Sequence, residues 1–485
     1  MSFLDSEWTW LNGENVGNSP STFESPGSRS GSTSWRDTNG DVWLFGGRGF
    51  SDLIRKKAFL LNDLWRYNIH TNKWTLVHPG SVSTTGGTVE FRDLKCPSPR
   101  QLATSCGVTN TTLIIYGGQG KGDKSLGDTW VYFIPKQRWL LLDKSQIQSE
   151  NETLVNTTSS TDAETLAPVP RSDVVSWCLG ERMVIFSGLD QNNHILHDMW
   201  ILSLKTLKWK EIIYMTEMGK NQSLNILPRI GATSWVLKKK ILYMFGGNTK
   251  NSSFSLHSTS GYISDLWKFN LTDFKWTRIY GTSQLETTGV YSTQFNSSYK
   301  THPGSRQGAL GWVDSKGSLW LFGGDGLDRL PSGTFKQSKL LSDVWRFQIH
   351  TKIWTWMAGS SDGEADVEYG IKGEATSEAL IGGRCRSNGW TGRHNKFYIF
   401  AGLGHDKYNQ DGYLNDLWLL DVNGILNSGK PVWYIVFFVF CVVSIILIIV
   451  ALSLFTKDKY SNSSLLFKSR YDNDIKYSHL PTTGD

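Results

Sequence analysis

Six arginines stand at matching places along this chain: Arg29, Arg100, Arg171, Arg229, Arg306 and Arg384. Gathered around one opening, such a set would hold an anion or an acidic peptide through forked guanidinium contacts. Other chemistry-bearing groups are sparse. His194-x-x-His197 lies in a loop and is not read as a metal site. Lys407-Tyr408-Asn409-Gln410-Asp411-Gly412 has the flavour of a calcium loop, but Lys407 stands where the first acidic ligand belongs and no Glu closes it. No nucleophile elbow, phosphate loop or zinc motif occurs, so no enzyme activity, cofactor or metal is expected. The net charge is +6, without a block of like charge bearing interleaved aromatics, so no nucleic-acid partner is implied. Cys96, Cys106, Cys178 and Cys385 permit two disulfides in three pairings, or buried free thiols. Cys106 and Cys178 occupy equivalent places in neighbouring copies of a repeat, which would bring them close.

That repeat must position everything else. Each copy begins with one of the six arginines. In five of the six, Trp follows six residues later, with Cys106 in its place in the second copy. An apolar run then ends in an aromatic residue, a small residue and Gly, as in Phe45-Gly46-Gly47, with Ser187-Gly188 and Ala401-Gly402 as departures. After a variable gap comes Asp-x-Trp, and a further Trp nine residues on. The fifth copy shows four short apolar segments, 307–313, 318–322, 343–349 and 354–357, with β-branched and aromatic enrichment; these read as strands. A period this regular signals one supersecondary unit stacked many times, and stacking supplies partners for 22 Trp.

Four strands per unit, a diglycine and a Trp at fixed spacing resemble the kelch β-propeller family over about residues 7–422. The resemblance implies an all-β, six-bladed propeller with blades near 29–77, 100–142, 171–213, 229–280, 306–358 and 384–422. The sixth copy lacks its last Trp. Trp8-Thr9-Trp10-Leu11-Asn12-Gly13 matches Trp354-Thr355-Trp356-Met357-Ala358-Gly359, so residues 7–12 are expected to close the ring and remove its open edges. In kelch proteins the repeat Arg more often bonds carbonyls between blades than it binds a ligand, and the Asp before Trp is likewise structural. Galactose oxidase, a kelch-like relative, needs a copper cluster of Tyr, His and cross-linked Cys; no such cluster is readable here.

Alternating strands put the loop after the second strand and the loop between blades on one face. Those loops are long: 48–62, 78–99, 143–170, 248–264, 280–305, 325–342 and 359–383. The opposite face has tight turns such as Thr38-Asn39-Gly40. Long loops on a rigid scaffold are where binding usually resides. Sequons stand at Asn110, Asn151, Asn156, Asn221, Asn251, Asn270 and Asn296. On the long-loop face they fall in blades two to four or leave blade four, so blades one, five and six form a bare sector. It carries basic Arg55, Lys56 and Lys57, acidic Asp362, Glu364, Asp366 and Glu368, and polar His405, Asp406, Tyr408, Asn409 and Asp411. Phe50 or Tyr408, standing exposed, would anchor a protein ligand there.

Residues 432–455 are uncharged and strongly apolar, and at ~1.5 Å per residue they cross a bilayer with some tilt. Residues 423–431 form a short linker that holds the short-loop face toward the membrane. Lys457, Lys459, Lys468, Arg470 and Lys476 follow the span, which places the C-terminus in the cytoplasm and the propeller outside. Met-Ser-Phe-Leu-Asp-Ser-Glu at the start is no signal segment; the outward topology therefore expects an upstream leader, while tail anchoring with a cytosolic propeller is the alternative. Residues 456–485 read as a disordered tail. Within it Tyr477-Ser478-His479-Leu480 fits the Tyr-x-x-apolar pattern that clathrin adaptors take in extended form. The expectation is a single-pass plasma-membrane or endosomal glycoprotein with a recognition or adhesion head, similar to the kelch part of attractin-type membrane proteins. It lacks their CUB, EGF-like and lectin-like neighbours, unless these stand upstream with the missing leader. The alternatives are an intracellular kelch adaptor and a carbohydrate-binding or carbohydrate-modifying propeller.

Overall fold

The computed structural model describes residues 8–50, 57–80, 82–85, 88–91, 96–109, 111–142, 167–216, 226–251, 259–329, 337–376, 378–422 and 437–454. The described residues between 8 and 422 belong to one unit whose main sheets are six blades, antiparallel but for the short strand Met215–Thr216 that joins blade 4 parallel to Lys275–Tyr280, with two further two-stranded hairpins. Blade 5 has Leu310–Val313 innermost, then Leu319–Gly326, Lys339–Gln348 and Ile353–Ala358 outermost. The inner strands of blades 1 to 6 touch in sequence, and that of blade 6 (Asn388–Thr391) meets that of blade 1 (Thr33–Arg36), so the six blades close a ring. Trp8–Asn12 is the outermost strand of blade 6, paired antiparallel with Asp411–Asp421, Trp10 opposite Trp418. The N-terminal segment thus supplies the strand that the sixth repeat lacks.

The core lies between blades. Trp345, Phe347 and Trp354 of blade 5 pack with Trp235, Tyr243 and Phe245 of blade 4 in one buried cluster. Wedge-shaped aromatic layers of this kind occur at other junctions too, which explains the Trp content.

The second strands differ from the sequence expectation. In blades 1, 5 and 6 they do not end at the small-Gly pair. Val42–Gly49, Leu319–Gly326 and Lys396–His405 run through it, and their pairing with the third strand resumes after a bulge, as at Phe322 and Gly324. Gly323 and Gly324 have φ of +64° and +104°, and a Cβ on Gly323 would lie 2.8 Å from the Arg384 carbonyl of the next blade. A left-handed bulge residue accounts for both the glycine and the unbroken strand. Blades 2 and 3 instead close this loop quickly, through single bridges at Gln119–Ser125 and Leu189–Ile195.

Two long loops serve the scaffold rather than standing free. In loop 280–305, Tyr291 packs on Trp345 and Trp356, and the Phe295 N–H donates to the Trp356 carbonyl. In loop 359–383, Tyr369 stacks against Trp10 and Trp418, and Ala375 bridges to Thr9. Each loop covers an outer blade edge that would otherwise offer unpaired backbone groups.

Cys106 and Cys178 form a disulfide between blades 2 and 3, with Cα atoms 5.4 Å apart. Cys96 and Cys385 are buried free thiols, so one pairing forms rather than two. The disulfide closes a sequence separation of 72 residues, and Cys106→Ser with Cys178→Ser is expected to cost about 2–4 kcal/mol. A denaturant midpoint unchanged between oxidised wild type and the double variant would contradict this.

The second unit holds the helix Phe437–Leu454, whose length and apolar composition suit a membrane span. The linker 423–431 and the tail 456–485 lie outside the described residues.

Candidate recognition face

The six repeat arginines are not ligands at a channel mouth. Each side chain is fully buried and forks onto the Asp of its own blade's Asp-x-Trp: Arg29 on Asp63, Arg100 on Asp128, Arg171 on Asp198, Arg229 on Asp265, Arg306 on Asp343 and Arg384 on Asp416. The shortest N–O distances run from 2.5 to 2.8 Å. The Trp of the motif donates its indole N–H to the same carboxylate, as Trp345 does at 2.6 Å. The guanidinium also bonds the carbonyl two residues earlier and that of the first residue of the small-Gly pair, for example Gly304 and Gly323 around Arg306. The side chain thus bonds within its blade. The Arg backbone makes the link between blades, its carbonyl accepting from Gly47, Gly118 and Gly247 in three preceding blades. At Asp128 burial pushes the carboxyl upward, but the bonds and charge of Arg100 and the Trp130 indole outweigh it and hold the carboxyl below its ordinary range. Asp198 behaves likewise with Arg171 and Trp200.

Two residues past each Arg the backbone turns left-handed: Gly31, Leu102, Asp173, Gly231, Gly308 and Arg386 all have positive φ. These residues form a belt around the axis. Asp173 donates its N–H to Leu102, Leu102 to Gly31, Gly31 to Arg386, Arg386 to Gly308 and Gly308 to Gly231, each step reaching the next blade. The two charged members sit three blades apart, and Arg386 Nη2 reaches Asp173 Oδ2 across the axis at 3.5 Å. On the long-loop side of this pair lies a pocket of ≈ 340 Å³, lined by Arg48, Gln101, Gln307, Asp325, Arg386 and Tyr413 among others. Gln307 and Tyr262 both bond Asp325. Cys385 also lines it, and burial pushes its thiol up to about 12, so it stays protonated and unreactive at neutral pH. Sequence reasoning passed over Asp173 and Arg386. Their signal was the only opposite-charge pair at the second position after the repeat Arg.

Above the pocket stand the extended hairpins of blades 5, 6 and 1, and the proposed contact residues distribute over them unequally. Phe50, expected to be exposed, is buried, because it turns in against Tyr413 of blade 6. His405 and Asp406 are buried as well. Asp406 builds the hairpin turn: it accepts from Tyr408 and Gln410 N–H with one oxygen and from Gly17 with the other. Tyr408 is 63% exposed, and Lys57, Asp362, Glu364, Asp366, Glu368 and Asp411 are exposed. Arg55 and Lys56 lie outside the described residues.

The fold joins groups that the sequence separates. His405 opposes Asp411 across the blade 6 hairpin, and Nε2 lies 3.2 Å from Asp411 Oδ1 and 2.5 Å from Glu364 Oε2. His197 has no comparable setting; it packs on Phe186 and Tyr214, and His194 pairs with Asp190 at the surface.

Of the sequons, Asn110, Asn151, Asn156 and Asn221 lie outside the described residues, and Asn251 ends the strand Asn248–Asn251. Asn270 ends Leu266–Asn270 in blade 4. Asn296 is exposed, but its neighbours Phe295 and Ser297 bond Trp356 and Thr355. A glycan there would stand beside the outer edge of blade 5, which narrows the bare sector expected from sequence. Tyr477 and Leu480 lie outside the described residues.

Comparison with known proteins agrees with this architecture. Residues 88–295 match the KLHDC2/KLHL20/DRC7 Kelch-repeats domain. An F-box/kelch-repeat protein of Arabidopsis thaliana is 24% identical over 216 residues, which is 42% of this chain and 37% of that protein. The chain therefore matches little more than a third of that relative's length. Kelch propellers typically bind protein partners and are generally non-catalytic. The six-fold Arg–Asp–Trp unit, the closed ring of six blades and these matches identify the chain as a kelch-repeat β-propeller protein.

Proposed function

We propose that this chain is a single-pass membrane protein whose kelch propeller faces away from the cytoplasm and recognises a protein ligand. The contact surface is the long-loop face over blades 5, 6 and 1. One observation carries the reading: among the described residues, blades 5, 6 and 1, which are neighbours, run their second and third strands unbroken past the small-Gly pair, whereas blade 4 raises a separate hairpin, Asn248–Asn251 with Thr259–Tyr262, and blades 2 and 3 close at once. The hairpins of blades 1 and 6 carry exposed Lys57, Tyr408 and Asp411, the loop after blade 5 carries exposed Glu364 and Asp366, and Arg48, Asp325 and Tyr413 of the same three hairpins line the pocket. Tyr408 is the anchor, as an exposed aromatic with a polar tip. The apolar helix supplies the anchor in the membrane. The Cys106–Cys178 disulfide supports an oxidising compartment, since cytosolic thiols are kept reduced. Endocytic sorting through Tyr477 and Leu480 by a clathrin adaptor completes the reading.

The alternative is an intracellular tail-anchored kelch adaptor, which the F-box/kelch-repeat relative favours. A carbohydrate-binding propeller is a weaker third reading. Binding to partners captured by proximity labelling separates surface from scaffold. Exchanging the hairpin tips of blades 1, 5 and 6 for the short turns of blades 2 and 3 is expected to abolish capture, whereas removing the sequons leaves it intact. Equal capture by the hairpin exchange and the wild type would sink the proposed surface.

A further inference from the structure

We propose that Glu364, His405 and Asp411 form a zinc site that staples the loop after blade 5 to the raised hairpin of blade 6. The argument starts from the imidazole. His405 is buried, and its Nδ1 lies 2.8 Å from the side-chain oxygen of Asn409. Nδ1–H donates there, which fixes the tautomer and leaves the Nε2 lone pair pointing outward. Nε2 faces two carboxylate oxygens, Glu364 Oε2 at 2.5 Å and Asp411 Oδ1 at 3.2 Å. A nitrogen lone pair and two anionic oxygens converge on one point. Their mutual repulsion is relieved only by a cation between them, either a proton on Nε2 or a metal ion.

The positions of the three groups suit a metal. In a tetrahedral zinc site, ligands about 2.0–2.1 Å from the ion stand ~3.3 Å from one another. The Nε2 to Asp411 distance of 3.2 Å already has this value. The Glu364 contact is shorter, and its half-exposed side chain has room to withdraw by the remaining ~0.8 Å. Each ligand is held by a second group. Glu364 is held twice by the Leu340 backbone, its N–H donating to the Leu340 carbonyl and its side-chain Oε1 accepting the Leu340 N–H at 2.9 Å. His405 and Asp411 are opposed residues of one hairpin. One imidazole with two carboxylates selects a borderline ion such as zinc over calcium or magnesium, which take oxygen ligands alone. Water completes the coordination.

Sequence separation hid this set: Glu364 and His405 are 41 residues apart, and the pattern matches no zinc motif. The proposal does not depend on what the face binds. The test uses the full chain in detergent micelles, stripped with chelator and titrated calorimetrically with zinc chloride near neutral pH. One saturable site is expected, with affinity in about the micromolar range or tighter. Glu364→Gln and Asp411→Asn, both exposed and harmless to folding, each weaken it at least about tenfold, and His405→Gln removes it. If wild type shows no saturable zinc binding up to about 1 mM, or if the two carboxylate variants bind as wild type does, the site is an ion pair closed by a proton and the proposal is overturned.

Discussion

Trp8→Ala is expected to destabilise the propeller by ~3–5 kcal/mol, and removal of residues 8–12 to leave it insoluble. Trp8 is 2% exposed and lies between Phe322 of blade 5, with ring centroids 5.6 Å apart, and Trp418 of its own blade. Among the described residues, its strand is the only partner for the outer edge of Asp411–Asp421 along Leu417–Leu420. Truncation to Ala leaves a cavity at the seam where the ring closes, and no neighbouring blade can collapse into it without opening the belt. Deleting the strand bares the outer edge along Leu417-Trp418-Leu419-Leu420, an apolar template for aggregation. Phe23→Ala is the control: Phe23 is 86% exposed, so its truncation should shift stability by less than about 0.5 kcal/mol. Chemical denaturation followed by tryptophan fluorescence reads both variants. Equal midpoints for Trp8→Ala and Phe23→Ala would refute closure by the N-terminal strand.

Arg306→Met is expected to cost ~3–5 kcal/mol, because it strands a buried charge rather than because the pair itself is strong. Arg306 gives two bonds to Asp343, at 2.6 and 2.8 Å, and bonds the carbonyls of Gly304 and Gly323. Asp343 keeps only the Trp345 and Tyr291 donors once the guanidinium is gone. Tyr291 shows how dry the place is: burial first, then the Asp343 charge, drives its phenol well above the ordinary value. The double variant Arg306→Met with Asp343→Leu should recover a large part of the loss, since the unpaired carboxylate is then absent. If the double variant is no more stable than Arg306→Met alone, the loss does not come from the stranded carboxylate and the burial argument fails.

The scaffold was legible because its chemistry repeats. An Arg, a small-Gly pair and an Asp-x-Trp at fixed spacing mark one hydrogen-bonded unit, and each residue type is required by a contact: the fork by the carboxylate, the glycine by positive φ, the indole by the same carboxylate. Substitutions follow the same logic. Ser187 takes the left-handed position in blade 3 and its hydroxyl accepts the Arg229 N–H, a bond no glycine side chain could offer. The face was less legible because its residues answer to no period. Phe50 looked like an exposed anchor, yet a partner 363 positions away in sequence, Tyr413, covers it. The loops containing Tyr291 and Tyr369 read as binding loops, yet each sends its tyrosine hydroxyl to an Asp-x-Trp aspartate, Asp343 or Asp416. Hairpin extension past the small-Gly pair was invisible for a related reason: a bulge glycine and a turn glycine look alike in sequence.

Which side of the membrane the propeller occupies decides what kind of partner it can meet. In cells expressing the protein from its native transcript, membranes are treated with peptide-N-glycosidase, and intact cells are labelled in parallel with an impermeant reagent. A mobility shift of several glycans together with surface labelling is the predicted result. An unshifted, unlabelled protein would contradict the account and place the kelch face among cytosolic partners.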